Sequence, residues 1–266
     1  MKRRVYITGS KGQISLELRN YLSEKDIKVI ILSRSKPKLF KNESHTFFDF
    51  TNTFHVEKGY RNEVLHLAHD FTDKKIDNAN INYIGAKNIL KSFKNHTNKR
   101  FIFFSTLDLK EPCTLYQKQK MLIEEIFGVD NSLILRLSFV FSKDGGINKV
   151  FSKISFFPIF IPRNLNSILP IKNEKIPPFL FKIIQDTKLL GLFCLVGNQA
   201  MNFKYFLNYH HGVKAYYLNN KFFFFIVFIL KFFPFKKAFY FKERILGLIH
   251  LKSSDLLTAN IKTFKI

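Results

Sequence analysis

The fold class is decided by the stretch Val5-Tyr6-Ile7-Thr8-Gly9-Ser10-Lys11-Gly12-Gln13-Ile14-Ser15. It starts as a short β-branched run, and a helix of amphipathic spacing begins after Gly12. Glycines at positions 9 and 12 let the chain turn tightly and let backbone N–H groups approach a diphosphate at the positive end of the helix. Ser15 takes the third small position, where such turns usually carry glycine. We expect Gly9, Gly12, Gln13 and Ile14 to bind a dinucleotide.

A Gly-x-x-Gly pair by itself also occurs in ordinary strand-to-helix turns, so its meaning depends on the elements around it. Residues 1–141 alternate short β-rich runs with longer stretches of helical period, which predicts a parallel sheet covered by helices. The predicted strands are Arg4–Thr8, Lys28–Ser33, Thr46–Phe48, Glu63–Leu67, Arg100–Ser105 and Ser132–Arg136. The predicted helices are Gln13–Lys25, Ile81–Asn95 and Leu115–Phe127. Strands joined in this way imply right-handed crossovers and a Rossmann-type doubly wound α/β fold.

The texture of the sequence changes near Ser142, after which Phe, Pro and Asn become frequent and regular alternation is lost. We therefore predict two units. Residues 1–141 form the dinucleotide-binding Rossmann domain, and residues 142–266 form a smaller C-terminal substrate lobe with elements that return to the sheet.

Composition excludes several classes of protein. The chain has 266 residues with 46% hydrophobic content, which excludes an intrinsically disordered chain, and two cysteines supply neither a disulfide framework nor a four-thiolate zinc site. Its 43 Lys+Arg against 20 Asp+Glu give a net charge of +23. Such a charge suits nucleic acid, anionic lipid or a phosphate-bearing substrate, and the abundance of Phe, Lys, Asn and Ile points to A/T-rich codons as its main source. We expect no nucleic-acid partner.

The segment Phe222–Phe235 is the most apolar part of the chain. Its uninterrupted run is well short of the roughly 20 residues that a membrane-spanning helix needs. We expect it to bury against the sheet, while peripheral contact with a membrane stays open as the alternative. Because Met1 is followed by Lys2-Arg3-Arg4 and then directly by the first strand, we expect no signal peptide and a cytoplasmic protein, with the inner membrane face as an alternative location.

Further motifs come after the glycine turn in a consistent order, and together they resemble the extended short-chain dehydrogenase/reductase superfamily, in particular the NAD-dependent epimerase/dehydratase family. They are Phe48-Asp49-Phe50, His66-Leu67-Ala68, Asn82-Tyr83-Ile84-Gly85-Ala86, Phe103-Phe104-Ser105-Thr106 and Tyr116-x-x-x-Lys120. The resemblance implies that Asp49 and Phe50 lie near adenine and that Leu67, Ala68 and Asn82 belong to the cofactor site.

The end of the second predicted strand bears on the choice of cofactor. An acidic residue at this place accepts hydrogen bonds from the ribose of NAD, but the sequence has Ser33-Arg34. Arg34 can pair with a 2′-phosphate, which favours NADP over NAD without excluding NAD.

Tyr116 and Lys120 are the predicted catalytic pair. Residues four apart share one helix face, and a nearby ammonium favours the phenolate over the phenol, which brings tyrosine towards its working range as a base. The resemblance implies that Lys120 also binds the nicotinamide ribose. Thr106, or in its place Ser105, is expected to bond the substrate oxygen. Only ten positions separate Thr106 from Tyr116, about half the family's usual spacing, which leaves open an impaired enzyme.

The predicted second lobe resembles the substrate-binding part of the family. The resemblance assigns Ser138, Asn166, Ser167 and Arg244 to the substrate. Adjacent His210-His211 do not converge in a regular element, so we expect no metal site. The predicted function is an NAD(P)-dependent nucleotide-sugar epimerase or 4-keto-sugar reductase of bacterial surface-polysaccharide biosynthesis, with a homodimer left open. The alternative is a dinucleotide- or nucleotide-sugar-binding protein of the same fold with impaired turnover.

Overall fold

The computed structural model describes residues 2–107, 112–128, 131–142, 158–163, 167–233, 236–249 and 261–266. The first part of the chain forms β1 (Arg3–Thr8), α1 (Gln13–Ser23), β2 (Lys28–Ser33), β3 (Glu43–Phe47), β4 (Arg61–His66), α2 (Ile81–Ser92), β5 (Lys99–Thr106), α3 (Leu115–Phe127) and β6 (Ser132–Leu137).

The later part forms β7 (Val140–Phe141), β8 (Ile159–Pro162), β9 (Ser167–Ile168), β10 (Ile171–Lys172), a 3-10 turn (Asn173–Lys175), α4 (Ile176–Gln185), β11 (Gly191–Val196), β12 (Met201–Asn202), α5 (Phe203–His211), β13 (Ala215–Leu218), α6 (Asn220–Leu230), α7 (Lys236–Ile249) and β14 (Lys262–Lys265).

Eight strands form one parallel sheet in the order β3-β2-β1-β4-β5-β6-β11-β14. The predicted Rossmann-type fold is confirmed. The direction of winding reverses between β1 and β4, and in sheets of this kind ligands bind in the crevice at that reversal, beyond the carboxyl ends of the strands. The glycine turn after β1 stands at this place.

The alternation of side chains along the strands builds a core on each face of the sheet. Val5 and Ile7 point to the face that α1 and α4 cover, whereas Tyr6 points to the face covered by α2 and α3. On the second face, the ring of Phe93 meets those of Tyr6 and Phe101 edge-on, and the ring of Phe103 stacks on that of Phe127. Both cores exclude water at the sheet centre, which fixes the positions of the strand ends.

Most predicted strand boundaries differ from the structure by one or two residues, and the largest difference is at β3. β3 begins at Glu43, three residues before the predicted start, because Glu43 pairs in register with Val29 of β2. The residues that open β3 are polar, so the sequence contains no β-rich signal there. The carboxylate of Glu43 is fully buried and receives two hydrogen bonds from Arg19, at 2.8 and 2.7 Å.

The predicted smaller lobe contributes to two places. β11 and β14 extend the large sheet, while three two-stranded pairs, β7–β10, β9–β12 and β8–β13, lie outside it. Phe141, Ile161, Ile168 and Phe206 form part of a separate apolar cluster under these pairs. The division of the chain after residue 141 stays a prediction.

The preferred expectation for the apolar segment Phe222–Phe235 is wrong over its described residues. α6 does not bury against the sheet; it packs on α7, with Phe223 and Val227 against Ile245. Most of the other large side chains of α6 are exposed. No helix in the described part of the chain is both long and apolar enough to cross a bilayer.

Candidate functional site

The glycine turn after β1 depends on Gly9 for steric reasons. Its φ angle is +74°, and a Cβ at this residue would lie 2.8 Å from the backbone nitrogen of Ala68. Any other residue would push the segment after β4 away from the turn. The Gly12 amide donates to the Gly9 carbonyl at 2.9 Å and closes the turn.

A single hydroxyl joins the ends of β1 and β4. Thr8 Oγ1 accepts from the amides of Leu67 and Ala68 at 3.1 and 3.0 Å and lies 2.9 Å from His66 Nδ1. Having accepted twice, the hydroxyl donates its own proton to Nδ1, so His66 carries its hydrogen on Nε2. Burial, with the charge of Lys120 as a smaller cause, lowers the pKa of His66 to about 3 and keeps the ring neutral. Leu67 and Ala68 are thereby fixed beside Gly9.

A buried arginine holds the other side of the turn. Arg19 Nη1 donates to the carbonyl of Ser10 at 2.9 Å, and Arg19 Nη2 donates to that of Lys38 at 2.7 Å. Arg19 is only 2% exposed, and its bidentate pair with Glu43 compensates the burial of its charge. The turn is therefore anchored through α1 and β3 together.

The amino end of α1 differs from those of the next two helices. Asn80 caps α2 by accepting from the amides of Asn82 and Tyr83, and Thr114 forms a capping box with Gln117 at α3. At α1 the cap residue is Gly12, which has no side chain to accept a bond. The Gln13 side chain adds a buried Nε2 with no partner in the described part of the chain. These free donors and the helix dipole suit an anionic group.

Arg34 lies exposed just after β2, on the opposite side of the glycine turn from Asp70. Burial acts to raise the pKa of Asp70, but its hydrogen bonds with Thr72 and the charge of Arg34 lower it below the usual value. Asn82, predicted to bind the cofactor, uses its amide group to hold the backbone of Asp70, accepting at 2.6 Å and donating at 3.0 Å. Its role in the structure is to shape the segment after β4.

Asp49 and Phe50 form the turn after β3. Asp49 accepts from the amide and hydroxyl of Thr51, and the Thr51 hydroxyl is the main cause that lowers the pKa of Asp49. Phe50 has a φ angle of +78°, and its ring covers Gly85 of α2, where a Cβ would overlap it. The carbonyl of Phe50 accepts from Asn88 at 2.8 Å. The motif Phe48-Asp49-Phe50 thus builds a tight corner beside the switch point.

Lys120 is a residue of α3 and is only 2% exposed, because its side chain points towards the sheet. Its Nζ donates to the carbonyl of Phe104 at 2.7 Å and lies 4.7 Å from the centre of the Phe103 ring. Burial lowers the pKa of Lys120 to about 7, although the charge of Glu124 acts to raise it. Glu124 is held in turn by two bonds from Arg136, at 2.9 and 2.6 Å. Lys120 therefore gains or loses its proton near neutral pH.

Tyr116 lies one turn before Lys120 and is half-buried, with its ring centre 5.6 Å from Lys120 Nζ. Its hydroxyl makes no hydrogen bond to a residue that the structure describes. Burial raises the pKa of Tyr116 to about 12. The expected lowering by Lys120 is therefore wrong for this structure, because Lys120 is itself stripped of water and directs its nitrogen to Phe104.

Sequence reasoning missed His69. Gln119 donates its Nε2 to the carbonyls of Asp73 and Lys75, at 2.8 and 2.9 Å, so its oxygen accepts from His69 Nε2 at 3.1 Å. His69 Nδ1 is then a bare acceptor, buried and without a partner in the described residues. Burial and the charge of Lys120 lower the pKa of His69 to about 3, and its ring meets that of Tyr116 edge-on at 4.9 Å. The only signal was a histidine directly after the motif His66-Leu67-Ala68.

Ser105 and Thr106 end β5 on different faces. Phe103 belongs to the core under α3 and Phe104 to the core under α1, so alternation places Ser105 on the face of α3 and Thr106 on the other. The Ser105 hydroxyl is buried and has no partner among the described residues. The order of preference changes, and Ser105 is the better-placed hydroxyl for the helix that carries Tyr116 and Lys120.

Residues 5–126, which carry the glycine turn, the segment after β4 and the Tyr116–Lys120 pair, match the model of the NAD dependent epimerase/dehydratase family. The resemblance inferred from the motifs is confirmed. A comparison with curated protein sequences found no match.

Solved structures of similar fold include enzymes that act on nucleotide sugars. The UDP-N-acetylglucosamine 4-epimerase from Bacillus cereus is 16% identical, with a TM-score of 0.63 over 82% of this chain and 86% of that one. The dTDP-4-dehydrorhamnose reductase from Bacillus anthracis, solved with NADP, is 17% identical, with a TM-score of 0.65 over 84% and 86%. The Bordetella bronchiseptica enzyme WbmH, solved with NAD+, is 16% identical, with a TM-score of 0.62 over 82% and 86%. At such identities the likeness shows the shared fold.

The residues that the family resemblance assigns to substrate are only partly described. Asn166 and the side chain of Arg244 lie outside the described residues. Ser138 donates its hydroxyl to the carbonyl of Leu169 at 2.6 Å, which ties the end of β6 to the second lobe. Ser167 lies in β9 and pairs with Asn202 of β12. None of these residues is brought to Tyr116 by a hydrogen bond in the described part of the chain.

A cavity of about 600 Å³ lies between α1 and the second lobe. Glu17 and Glu24 line one side, and Lys172 and His210 line the other. The cavity does not reach Tyr116, Lys120 or Ser105, so its size does not make it the place of the family's chemistry.

Proposed function

We propose that the chain is an NAD(P)-dependent enzyme that epimerises or reduces a nucleotide sugar. One observation carries the proposal. Three segments meet at the carboxyl ends of the strands: the glycine turn, the segment after β4 and the first turn of α3. Gly9 lies close to Ala68, and the ring of His69 contacts that of Tyr116. A ligand bound at the switch point would therefore lie beside the titratable groups of α3.

The dinucleotide is assigned to the glycine turn because the residues there fit it. The open amide donors at the start of α1 and the unpartnered Gln13 Nε2 suit its diphosphate. Arg34 after β2 suits a 2′-phosphate, which favours NADP, and the family resemblance assigns adenine to the corner of Asp49 and Phe50. When bound, the nicotinamide supplies hydride exchange with a sugar carbon.

The proton part of the reaction is assigned to α3 and β5. Tyr116 exchanges a proton with the substrate hydroxyl, and Ser105 binds the same oxygen. Lys120, with a pKa of about 7, supplies a charge that is present on the acid side of neutrality and absent on the alkaline side. His69 and Gln119 fix the ring of Tyr116 from the side of the segment after β4. Since the pKa of Tyr116 is raised, the group is a neutral phenol near neutral pH, which is the form that donates a proton to the sugar oxygen when a carbonyl is reduced.

A nucleoside diphosphate sugar is the substrate class that fits both the family and the charge. The similar structures include a UDP-N-acetylglucosamine 4-epimerase and a dTDP-4-dehydrorhamnose reductase. A net charge of +23 favours a substrate that carries a diphosphate. A role in surface-polysaccharide biosynthesis follows from this substrate class as part of the proposal.

The test starts with the whole purified chain. Mass spectrometry of the denatured protein identifies any dinucleotide retained, and titration with NADPH and NADH measures the preference between them. Turnover of UDP-sugars and of UDP- or dTDP-4-keto sugars is then compared between the parent chain, Tyr116→Phe and the control Tyr60→Phe. Tyr60 directly precedes β4 and lies at the amino ends of the strands, away from the carboxyl ends where Tyr116 lies. We expect Tyr116→Phe to lose at least about 100-fold in turnover, as for removal of a general acid, and Tyr60→Phe to stay active.

Impaired turnover is the second candidate, and a specific observation favours it. The raised pKa of Tyr116 and the bond from Lys120 to Phe104 leave the pair without the electrostatic coupling that a catalytic tyrosine needs. If the parent chain binds the dinucleotide and nucleotide sugar but turns over no better than Tyr116→Phe, the chain is a binding protein and the catalytic proposal is wrong. Failure to bind either dinucleotide would overturn both candidates.

A further inference from the structure

α6 is apolar around its whole circumference, which is unusual for a helix that touches its neighbours on one side only. Over its 11 residues, Phe223 and Val227 form the buried stripe against α7. The remaining face carries large side chains in water. We call Phe222, Phe225, Phe228, Ile229, Phe232 and Phe233 the outward face; the last two come after Lys231, which ends the helix.

The outward face is strongly exposed and contiguous. Phe225 is 59% exposed, Phe228 is 55% and Phe232 is 72%. These three residues follow one another at helical spacing, and the rings of Phe228 and Phe232 meet edge-on at 5.2 Å. A continuous apolar patch of this kind on a folded protein marks a surface that another partner covers.

The charged residues that flank α6 along the chain are positive. Exposed lysines stand at both ends of α6, Lys221 at its start and Lys231 just after its end. From Thr187 to Lys242 the sequence contains eight lysines and no aspartate or glutamate. The surroundings of the apolar patch therefore match a partner that is apolar inside and negative at its surface.

We propose that the outward face of α6 docks on an anionic lipid surface. The phenylalanines would enter the boundary between headgroups and acyl chains, and the long lysine side chains would reach the phosphates while their stems lie along the apolar surface. A helix of 11 residues is roughly 16 Å long, too short to span a bilayer, and it lies in the membrane plane. This proposal does not depend on the proposed enzymatic function.

A second copy of the chain is a poorer occupant of the same face. Pairing two outward faces about a two-fold axis would bring two sets of lysines together, with no acidic side chain from the stretch Thr187–Lys242 to compensate them. An anionic bilayer supplies the missing negative charge at the rim and the apolar interior at the centre. Both requirements are then met by one partner.

The first test is sedimentation of the whole chain with vesicles at physiological salt. Vesicles of phosphatidylcholine alone are compared with vesicles that contain phosphatidylglycerol as well. The triple substitution Phe225→Ser, Phe228→Ser and Phe232→Ser removes the patch, and Phe47→Ser, a change of a 54%-exposed phenylalanine on β3, is the matched control. We expect the parent and the control to sediment with anionic vesicles and the triple variant to lose at least about tenfold in bound fraction.

The absence of tryptophan from the chain allows a second test with no background signal. In Phe225→Trp and Phe47→Trp, a single tryptophan reports its own surroundings. We expect the emission of Phe225→Trp to shift to the blue on addition of anionic vesicles and to be quenched by lipids brominated on the acyl chain. The emission of Phe47→Trp should change in neither way.

Four results would overturn the proposal. The first is that the parent chain fails to sediment with anionic vesicles. The second is that the triple variant, shown to be folded by circular dichroism, sediments as well as the parent. The third is that the two tryptophan variants respond alike to the vesicles. A lipid-free dimer in analytical ultracentrifugation that dissociates in the triple variant would assign the outward face to a second copy and would likewise overturn it. Turnover of the triple variant in solution is measured in parallel, so that failure of docking and failure of the enzymatic proposal are separate results.

Discussion

The glycine turn and the Tyr116–Lys120 pair both lie at the carboxyl ends of the strands, but different interactions hold them in place. The closest contacts of the turn are between uncharged groups, namely the approach of Gly9 to Ala68 and the bonds of the Thr8 hydroxyl, and the Arg19 guanidinium holds Ser10 from the other side. The pair is built from ionisable groups taken out of water, since burial lowers the pKa of Lys120 to about 7 and raises that of Tyr116 to about 12.

This difference predicts two kinds of sensitivity. The turn should respond to changes of shape and be indifferent to pH, because none of its contacts titrates near neutrality. The α3 pair should respond to pH and to removal of charge, because a buried lysine destabilises the fold while it is protonated. Three substitutions test the comparison, from the largest effect to the smallest.

Gly9→Ala should break the turn. The backbone strain of a non-glycine residue at this φ, together with the overlap of its Cβ with Ala68, should cost roughly 3–5 kcal/mol of the free energy of unfolding. Gly59→Ala is the matched control, because Gly59 has a φ of +84° with nothing within 4 Å of its Cβ position. Urea unfolding of both variants separates the strain, which they share, from the overlap, which only Gly9→Ala has. Equal losses in the two variants would show that the approach to Ala68 does not constrain the turn.

Lys120→Met should stabilise the protein near neutral pH and abolish turnover. Lysine has a pKa of about 10.5 in the unfolded chain and about 7 here, so the cost of burying its charge is fully present below pH 7 and disappears as the pH rises towards 10.5. After subtraction of the lost bond to Phe104, we expect a gain of about 1–3 kcal/mol at pH 6–7 that shrinks at pH 9.

The exposed Lys118 on the same helix supplies the control for this change. Lys118→Met should alter the free energy of unfolding by less than about 0.5 kcal/mol at every pH. A gain for Lys120→Met that stays constant between pH 6 and pH 9 would show that Lys120 does not carry the depressed pKa.

Ser15→Ala is the smallest change and concerns the third small position of the turn. The Ser15 hydroxyl is buried and without a partner among the described residues. Because an unpartnered buried hydroxyl is costly, its removal from the first turn of α1 should stabilise the protein by about 0.5–1 kcal/mol and leave dinucleotide affinity unchanged. Ser15→Gly, which restores the family pattern, should be less stable than Ser15→Ala by about 1 kcal/mol through its backbone freedom. Loss of stability in Ser15→Ala, measured by thermal unfolding, would mean that the hydroxyl is bonded.

The Rossmann half was predictable because period and order both carried information there. Two kinds of feature were not predictable. The start of β3 has polar residues, whose place in the sheet depends on the buried pair of Glu43 with Arg19, a contact between distant parts of the chain. α6 has the composition of a buried helix, and no local pattern indicates that α7 covers only one side of it.

Within the candidate site, the spacing of Tyr116 and Lys120 on one helix face was predictable from the sequence, and their electrostatics were not. The sequence places Tyr116 four residues before Lys120, but the degree of burial that shifts both pKa values arises from Phe103, Phe104 and the segment after β4. The structure also makes His69 and Ser105 stronger candidates for the site than the sequence does, because each has a buried polar atom without a partner among the described residues.

The Arg19 guanidinium has a consequence for how the molecule opens. β3 is an edge strand with half-exposed residues and would fray on its own, yet one side chain joins it to Ser10 and to the carbonyl of Lys38. We therefore expect the edge strand and the glycine turn to open together in local unfolding. A ligand that binds at the glycine turn should therefore also stabilise the pairing of the edge strand β3 with β2.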